Sequence, residues 1–163
     1  MDEIKANQVL ELNAEKIINN NVLWAMGLGI IPLPLISLAG TSVVQLRMIF
    51  QLSELYGVEF SENRVKLIIG ALAGGLGTAV LAQSAISLLK PIPFVNSVAV
   101  IGGIPLMMGA TTYGLGKVFD LHFSSGGTLL DFDFKKLRAY FVQQIDDGKK
   151  VAATLKRKST ASG

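Results

Sequence analysis

The sequence predicts an all-α protein associated with membranes, and two observations carry that reading. Half of its 163 residues are hydrophobic and only 17% are charged, against about 25% in ordinary soluble domains. The charges are also segregated: residues 17–46, 67–89 and 91–116 contain no Asp, Glu, Lys or Arg, which makes windows of 30, 23 and 26 residues. A surface helix of a soluble globule carries charge along its outer face, so windows of this length point away from an ordinary soluble fold. The same composition excludes disorder, which needs low hydrophobicity and high net charge. Val95 to Ile101 has a strand-like composition, but it lies inside a Gly-rich apolar window. The expected architecture is therefore a helical protein with a Gly-rich apolar helical hairpin, a Pro-bent apolar segment and flanking amphipathic helices. Its parts are an N-terminal amphipathic arm (1–21), a single membrane-associated helical domain (22–147) and a basic flexible tail (148–163).

Asp2 to Asn19 reads as an amphipathic helix with Ile4, Val9, Leu10, Leu12, Ile17 and Ile18 as its apolar set, and Asn19-Asn20-Asn21 is placed to break or cap it. Val22 to Ala39 is the first apolar segment, with Pro32 and Pro34 in its middle. Each proline costs about 3 kcal/mol inside a helix, so the segment is expected to bend there, as a shallow re-entrant hairpin or as two short helices. Thr41 to Tyr56 follows as a helix, with Thr41 or Ser42 as N-cap and Gly57 just past its end. Val44, Met48, Leu52 and Leu55 make its apolar stripe. Ser61 can cap the next helix, with Glu62 in the first turn. That helix enters the second charge-free window, which at 1.5 Å per residue is long enough for a bilayer core of about 30 Å. Lys90-Pro91 ends it. The third window carries Gly102-Gly103 and Pro105 and is expected to be kinked or broken. Asp131 is the expected cap of a last helix with Phe134, Leu137, Phe141 and Ile145 on one face, interrupted at Gly148 and frayed from Lys149.

Lys and Arg suggest a topology. Residues 117–163 hold nine of them against five Asp or Glu, whereas Lys90 stands alone between the second and third windows. The positive-inside rule puts both ends of that hairpin in the cytoplasm and Lys90 at the other face. The acidic start Met1-Asp2-Glu3 lacks the basic region of a secretory signal. The expected location is the bacterial cytoplasmic (inner) membrane, with most charged segments on its cytoplasmic side. Gly70/Gly74, Ala71/Gly75 and Ala73/Gly77 are each four residues apart, a spacing that lets helix backbones approach closely in lipid. Ala110 and Gly114 repeat it, so the partner is either the third window or another subunit, the intramolecular pairing being favoured. The tail residues Lys149, Lys150, Lys156, Arg157 and Lys158 suit anionic headgroups better than nucleic acid, because no aromatics are interleaved with them; simple solubilisation is the competing reading.

Catalytic readings find no support. With no Cys and one His, His122, there is no thiolate chemistry and no histidine cluster for a metal. Gly70 to Gly75 is followed by Leu76, where a phosphate-binding loop needs Lys, and no G-x-G start is completed by a third Gly. Asp131/Asp133 and Asp146/Asp147 are explained by a helix cap and a solvated helix end. No catalytic, cofactor-binding or metal-ligating residue is expected.

Ile31-Pro32-Leu33-Pro34, then Gln45 to Ile49 with Met48, then Leu55-Tyr56-Gly57, then Pro91/Pro93, and finally Thr112-Tyr113-Gly114-Leu115-Gly116-Lys117 follow one another in an order that resembles the bacterial membrane family named domain of unknown function 697. The resemblance spans Val22 to Phe141, and Gln45, Met48, Tyr56, Gly57, Thr112, Tyr113, Gly116 and Lys117 are its more specific positions. It implies a membrane module that works with an Era-like small GTPase, in the same chain or another; this chain has no GTPase motif of its own. Pro105 departs from the family's smoother Gly/Ala segment. The expected function is a non-enzymatic, membrane-inserted scaffold, anchor or bilayer-shaping protein. Its expected partners are the lipid bilayer, further copies of itself and a small GTPase. The alternatives are a pore or transporter component formed by oligomerised hairpins, disfavoured because no window holds an ionisable residue, and a soluble bundle with an apolar buried hairpin.

Overall fold

Local signals for breaking helices are overruled in three places, and the overall architecture follows from that. The computed structural model describes residues 2–30, 34–74 and 97–161. Its helices are α1 (Asp2–Leu28), α2 (Pro34–Tyr56), α3 (Glu62–Gly74), α4 (Ser97–Ser124) and α5 (Phe134–Ala161), and the described residues contain no strand. The all-α reading is met, and the strand-like stretch is helical from Ser97. Pro32, Gly75 and Gly77, together with the rest of 75–96, lie outside the described residues.

The asparagine triplet does not end α1. Asn21 is buried and donates from Nδ2 to the Ile17 carbonyl at 2.8 Å and to Gln51 Oε1 at 2.8 Å, so its polar group is satisfied within the helix and across to α2. The first apolar segment is thus split between two long helices rather than two short ones. Pro34 is the first residue of α2, where its missing N–H and fixed φ are tolerated. Thr41 and Ser42 lie inside α2 rather than capping it. Gly57 follows that helix at φ +67°, a left-handed conformation that favours glycine.

From Ser97 onward the third window is unbroken. Helix α4 runs through Gly102, Gly103 and Pro105, because neighbours packed along its length outweigh the proline's local penalty. A Cβ on Gly29 would stand 2.7 Å from the Pro105 Cα, one on Gly109 would press into the Met26 side chain, and one on Gly116 would stand 2.8 Å from Ile18 Cγ1. Helix α1 therefore lies antiparallel to α4 at very close range. On another side, Gly114 faces Ile145 of α5, and a Cβ on Gly148 would stand 2.7 Å from the Ala110 carbonyl oxygen. Gly148 does not interrupt α5; it is the point at which α4 comes closest, and the helix continues to Ala161. The cap of α5 is Asp133, which accepts from the Lys135 and Lys136 amides at 3.1 and 3.2 Å. Asp131 instead holds the preceding loop through the Thr128 amide and hydroxyl.

Helix α4 is thus flanked by α1, α2 and α5. Its neighbours supply Ile18, Val22, Met48, Ile49, Leu52, Phe141 and Ile145 to a core shared with Leu115, Val118 and Phe119. Each such side chain contributes roughly 1.5–3 kcal/mol by leaving water. This accounts for the absence of charge between Gly109 and Gly116, where the helix is buried or half-buried on every side. Among the described residues, no helix is long and apolar enough to cross a membrane, which corrects the expectation of a spanning limb over that part of the chain.

Candidate functional site

The two stretches that carry the family resemblance are more than 60 residues apart in the chain and meet along the α2–α4 seam. These helices run parallel. Thr41 Oγ1 approaches Met108 Sδ at 3.4 Å, and Gln45 Nε2 donates to Thr112 Oγ1 at 3.4 Å. A Cβ on Gly116 would stand 3.1 Å from Met48 Sδ. At the far end Tyr56 donates to Asp120 Oδ1 at 2.6 Å, and Lys117 Nζ pairs with Asp120 Oδ2 at 3.2 Å. The resemblance positions Gln45, Met48, Tyr56, Thr112, Gly116 and Lys117 are therefore brought together, with Gly57 turning the chain just beyond Tyr56. Tyr113 points elsewhere, packing partly buried against the core near Gly148 of α5.

Asp120 holds this polar end together, yet nothing in the sequence reading singled it out. The signal was the Lys117-x-x-Asp120 spacing, which puts both groups on one helix face. Burial pushes the Tyr56 phenol above its usual range, and the hydrogen bond and negative charge of Asp120 push it further. Burial opposes the Lys117 ammonium, but the Asp120 charge and hydrogen bond prevail and hold that group above its ordinary value. Both shifts favour the neutral phenol and the charged amine. The cluster is thus a stable ion pair with a phenol donor, rather than an acid or base poised near neutral pH.

A second feature lies between α1 and α2. Near Asn21 and Gln51 the two helices leave an open groove of about 450 Å³, lined by Asn20, Leu23, Trp24 and Arg47 among others. Trp24 is 62% exposed. The only Trp of the chain, inside a charge-free window and next to an asparagine triplet, was the sequence signal for it.

The remaining expected positions are dispersed. Among the described residues nothing lies near the place of a Cβ on Gly70, and Gly74 ends α3. Ala110 and Gly114 pack on α5. Lys149 and Lys150 are exposed and pair with Asp146 and Asp147 at 2.7 and 3.3 Å, while Lys156, Arg157 and Lys158 extend along the exposed end of α5. His122 is a loop pin: its Nε2 lies 2.8 Å from the Thr128 carbonyl oxygen and its ring meets Phe132 edge-on. No group of three or more potential metal ligands occurs among the described residues.

Comparison with known proteins gives one relative and one family. The chain is 40% identical over 153 residues, 93% of its own length and 78% of the relative's, to magnetosome membrane protein 22 of Magnetospirillum gryphiswaldense. No solved structure matches the chain. The model of the domain of unknown function DUF697 matches residues 3–120, from the start of α1 to Asp120, and so takes in the whole α2–α4 seam. The chain belongs to the DUF697 family.

Proposed function

We propose that this protein is a non-enzymatic, membrane-associated scaffold or anchor that acts as an oligomer at the cytoplasmic face of the bacterial inner membrane, working with an Era-like small GTPase. The observation that carries the reading is the exposed apolar surface of the first helices. Leu12, Trp24, Val43 and Leu67 are between 57% and 74% exposed, and Leu23 and Phe50 lie near them in sequence with 38% and 41%. Leu23 and Trp24 line one open groove, and contiguous exposed apolar patches mark sites for membrane or protein partners. The relative named as a magnetosome membrane protein supports the membrane assignment, and the basic residues of α5 supply a face attracted to anionic headgroups. No described residue of the chain covers Gly70, and a helix from a second copy would fit against it. Carbonate washing of native membranes, compared with detergent extraction and followed by size analysis, tests the reading. Carbonate-resistant protein released by detergent as one large species is the expected result, and release by carbonate as a small species would overturn it.

A further inference from the structure

We propose that the groove between α1 and α2 seats the phosphate of an anionic phospholipid, held by Arg47 with Trp24 at the membrane interface. The inference rests on the membrane association proposed above and assigns a specific contact to it. Three features of the groove point the same way. Its lining carries a single charged side chain, the exposed Arg47, and among the described residues no acidic group pairs with it. A planar guanidinium is the side chain best matched to a phosphate. Gln51 lies one turn beyond Arg47 on α2, and because Asn21 already occupies its Oε1, its amide N–H groups remain to donate. Asn20, which is exposed, adds another amide across the groove.

The depth of the groove also fits. Helices α1 and α2 are antiparallel, with Asn21 opposite Gln51 and Leu28 against Gly40, so Trp24 and Arg47 lie at similar heights. Ile30, beyond the end of α1, is 66% exposed. Trp24 is about 9 Å back from it along the helix axis, at 1.5 Å per residue. Interfacial elements bury their apolar parts by about 5–10 Å. With α1 upright and Ile30 immersed to that depth, Trp24 stands at the headgroup level, where tryptophan is enriched, and Arg47 stands among the phosphates.

The test uses the full chain with vesicles of phosphatidylcholine, with or without phosphatidylglycerol. Trp24 is the only tryptophan, so its fluorescence reports on this groove alone. The expected result is a blue shift on binding, with stronger quenching by a nitroxide at the headgroup than by one at the acyl-chain end. Arg47→Gln lowers partitioning onto phosphatidylglycerol vesicles about fivefold, the factor expected for one interfacial cation, and leaves partitioning onto pure phosphatidylcholine unchanged. Lys5→Gln, about 28 Å away at the other end of α1, changes it by less than about twofold, being several screening lengths distant. If wild type and Arg47→Gln float equally and Trp24 is not quenched from the headgroup, the groove assignment is wrong while the membrane reading stands. If inorganic phosphate alone shifts Trp24 emission, the occupant is a soluble phosphate and the lipid assignment fails. If the chain does not float at all, the membrane reading fails first.

Discussion

Replacing Tyr56 by Phe removes one oxygen and leaves the ring, still packed beside Phe123, in place. The lost interaction is the 2.6 Å hydrogen bond to Asp120, which keeps its ion pair with Lys117. Hydrogen bonds to charged groups contribute about 1.5–3 kcal/mol. The Asp120 and Lys117 side chains are 15% and 28% exposed, so water competes in part and the lower end applies, about 1.5 kcal/mol. For a chain of this size that lowers Tm by about 3–6 °C. The pH dependence has a definite sign. The phenol is harder to ionise when folded than its reference value of 10.0, so its contribution is complete below pH 10 and declines as pH rises further and the unfolded chain loses the proton first. Thermal unfolding of the purified protein in mild detergent, followed by helical circular dichroism at pH 7 and at pH 11, measures both. The expected outcome is a wild-type advantage at pH 7 that narrows at pH 11. Equal melting temperatures at pH 7, or a gap that widens in alkali, would refute the role assigned to the Tyr56–Asp120 bond.

Three further substitutions probe the packing. Gly148→Ala drives a methyl group toward the Ala110 carbonyl oxygen and is expected to destabilise the α4–α5 contact by about 1–3 kcal/mol, read as a lower midpoint in urea. Gly27→Ala meets no neighbouring atom on α1 and should stabilise the protein by up to about 1 kcal/mol through helix propensity, with a matching rise in Tm. Gly70→Leu likewise meets no described residue near its Cβ, so helix propensity should raise the melting temperature by about 2–4 °C rather than lower it. It should reduce the size of the detergent-extracted species if α3 packs on a second copy, and light scattering would show an unchanged mass if it does not.

Helix existence and faces were largely legible because they depend on periodicity. The stripe through Met48 and Leu52 is buried as its spacing implies, and the Gly57 stop falls where a left-handed residue is needed. Three of the misreadings share one cause. Asn21, Pro105 and Gly148 are local helix breakers, and each is overruled by a partner distant in the chain: Gln51, the packed end of α1, and the backbone of Ala110. The absence of charge is ambiguous for the same reason, since a helix enclosed by three neighbours needs no charge and neither does one enclosed by lipid. Residues of the α2–α4 seam were visible as motif positions; Asp120 carried only its spacing to Lys117, because its partner Tyr56 is 64 residues away and only the fold joins them.

The antiparallel seating of α1 on α4 has a consequence for biosynthesis. Ile18 meets its partner Gly116 only after about a hundred further residues have been made, which at 5–20 residues per second takes roughly 5–20 s. Helix α2 emerges well before that, so α1 and α2 can pair through Asn21 and Gln51 while the surface that α4 will cover is still bare. In that interval the nascent hairpin presents greasy side chains on both its outer and its inner surface. The order of synthesis thus favours delivery of the ribosome to a bilayer, or capture by a holdase, before the central helix arrives to close the core.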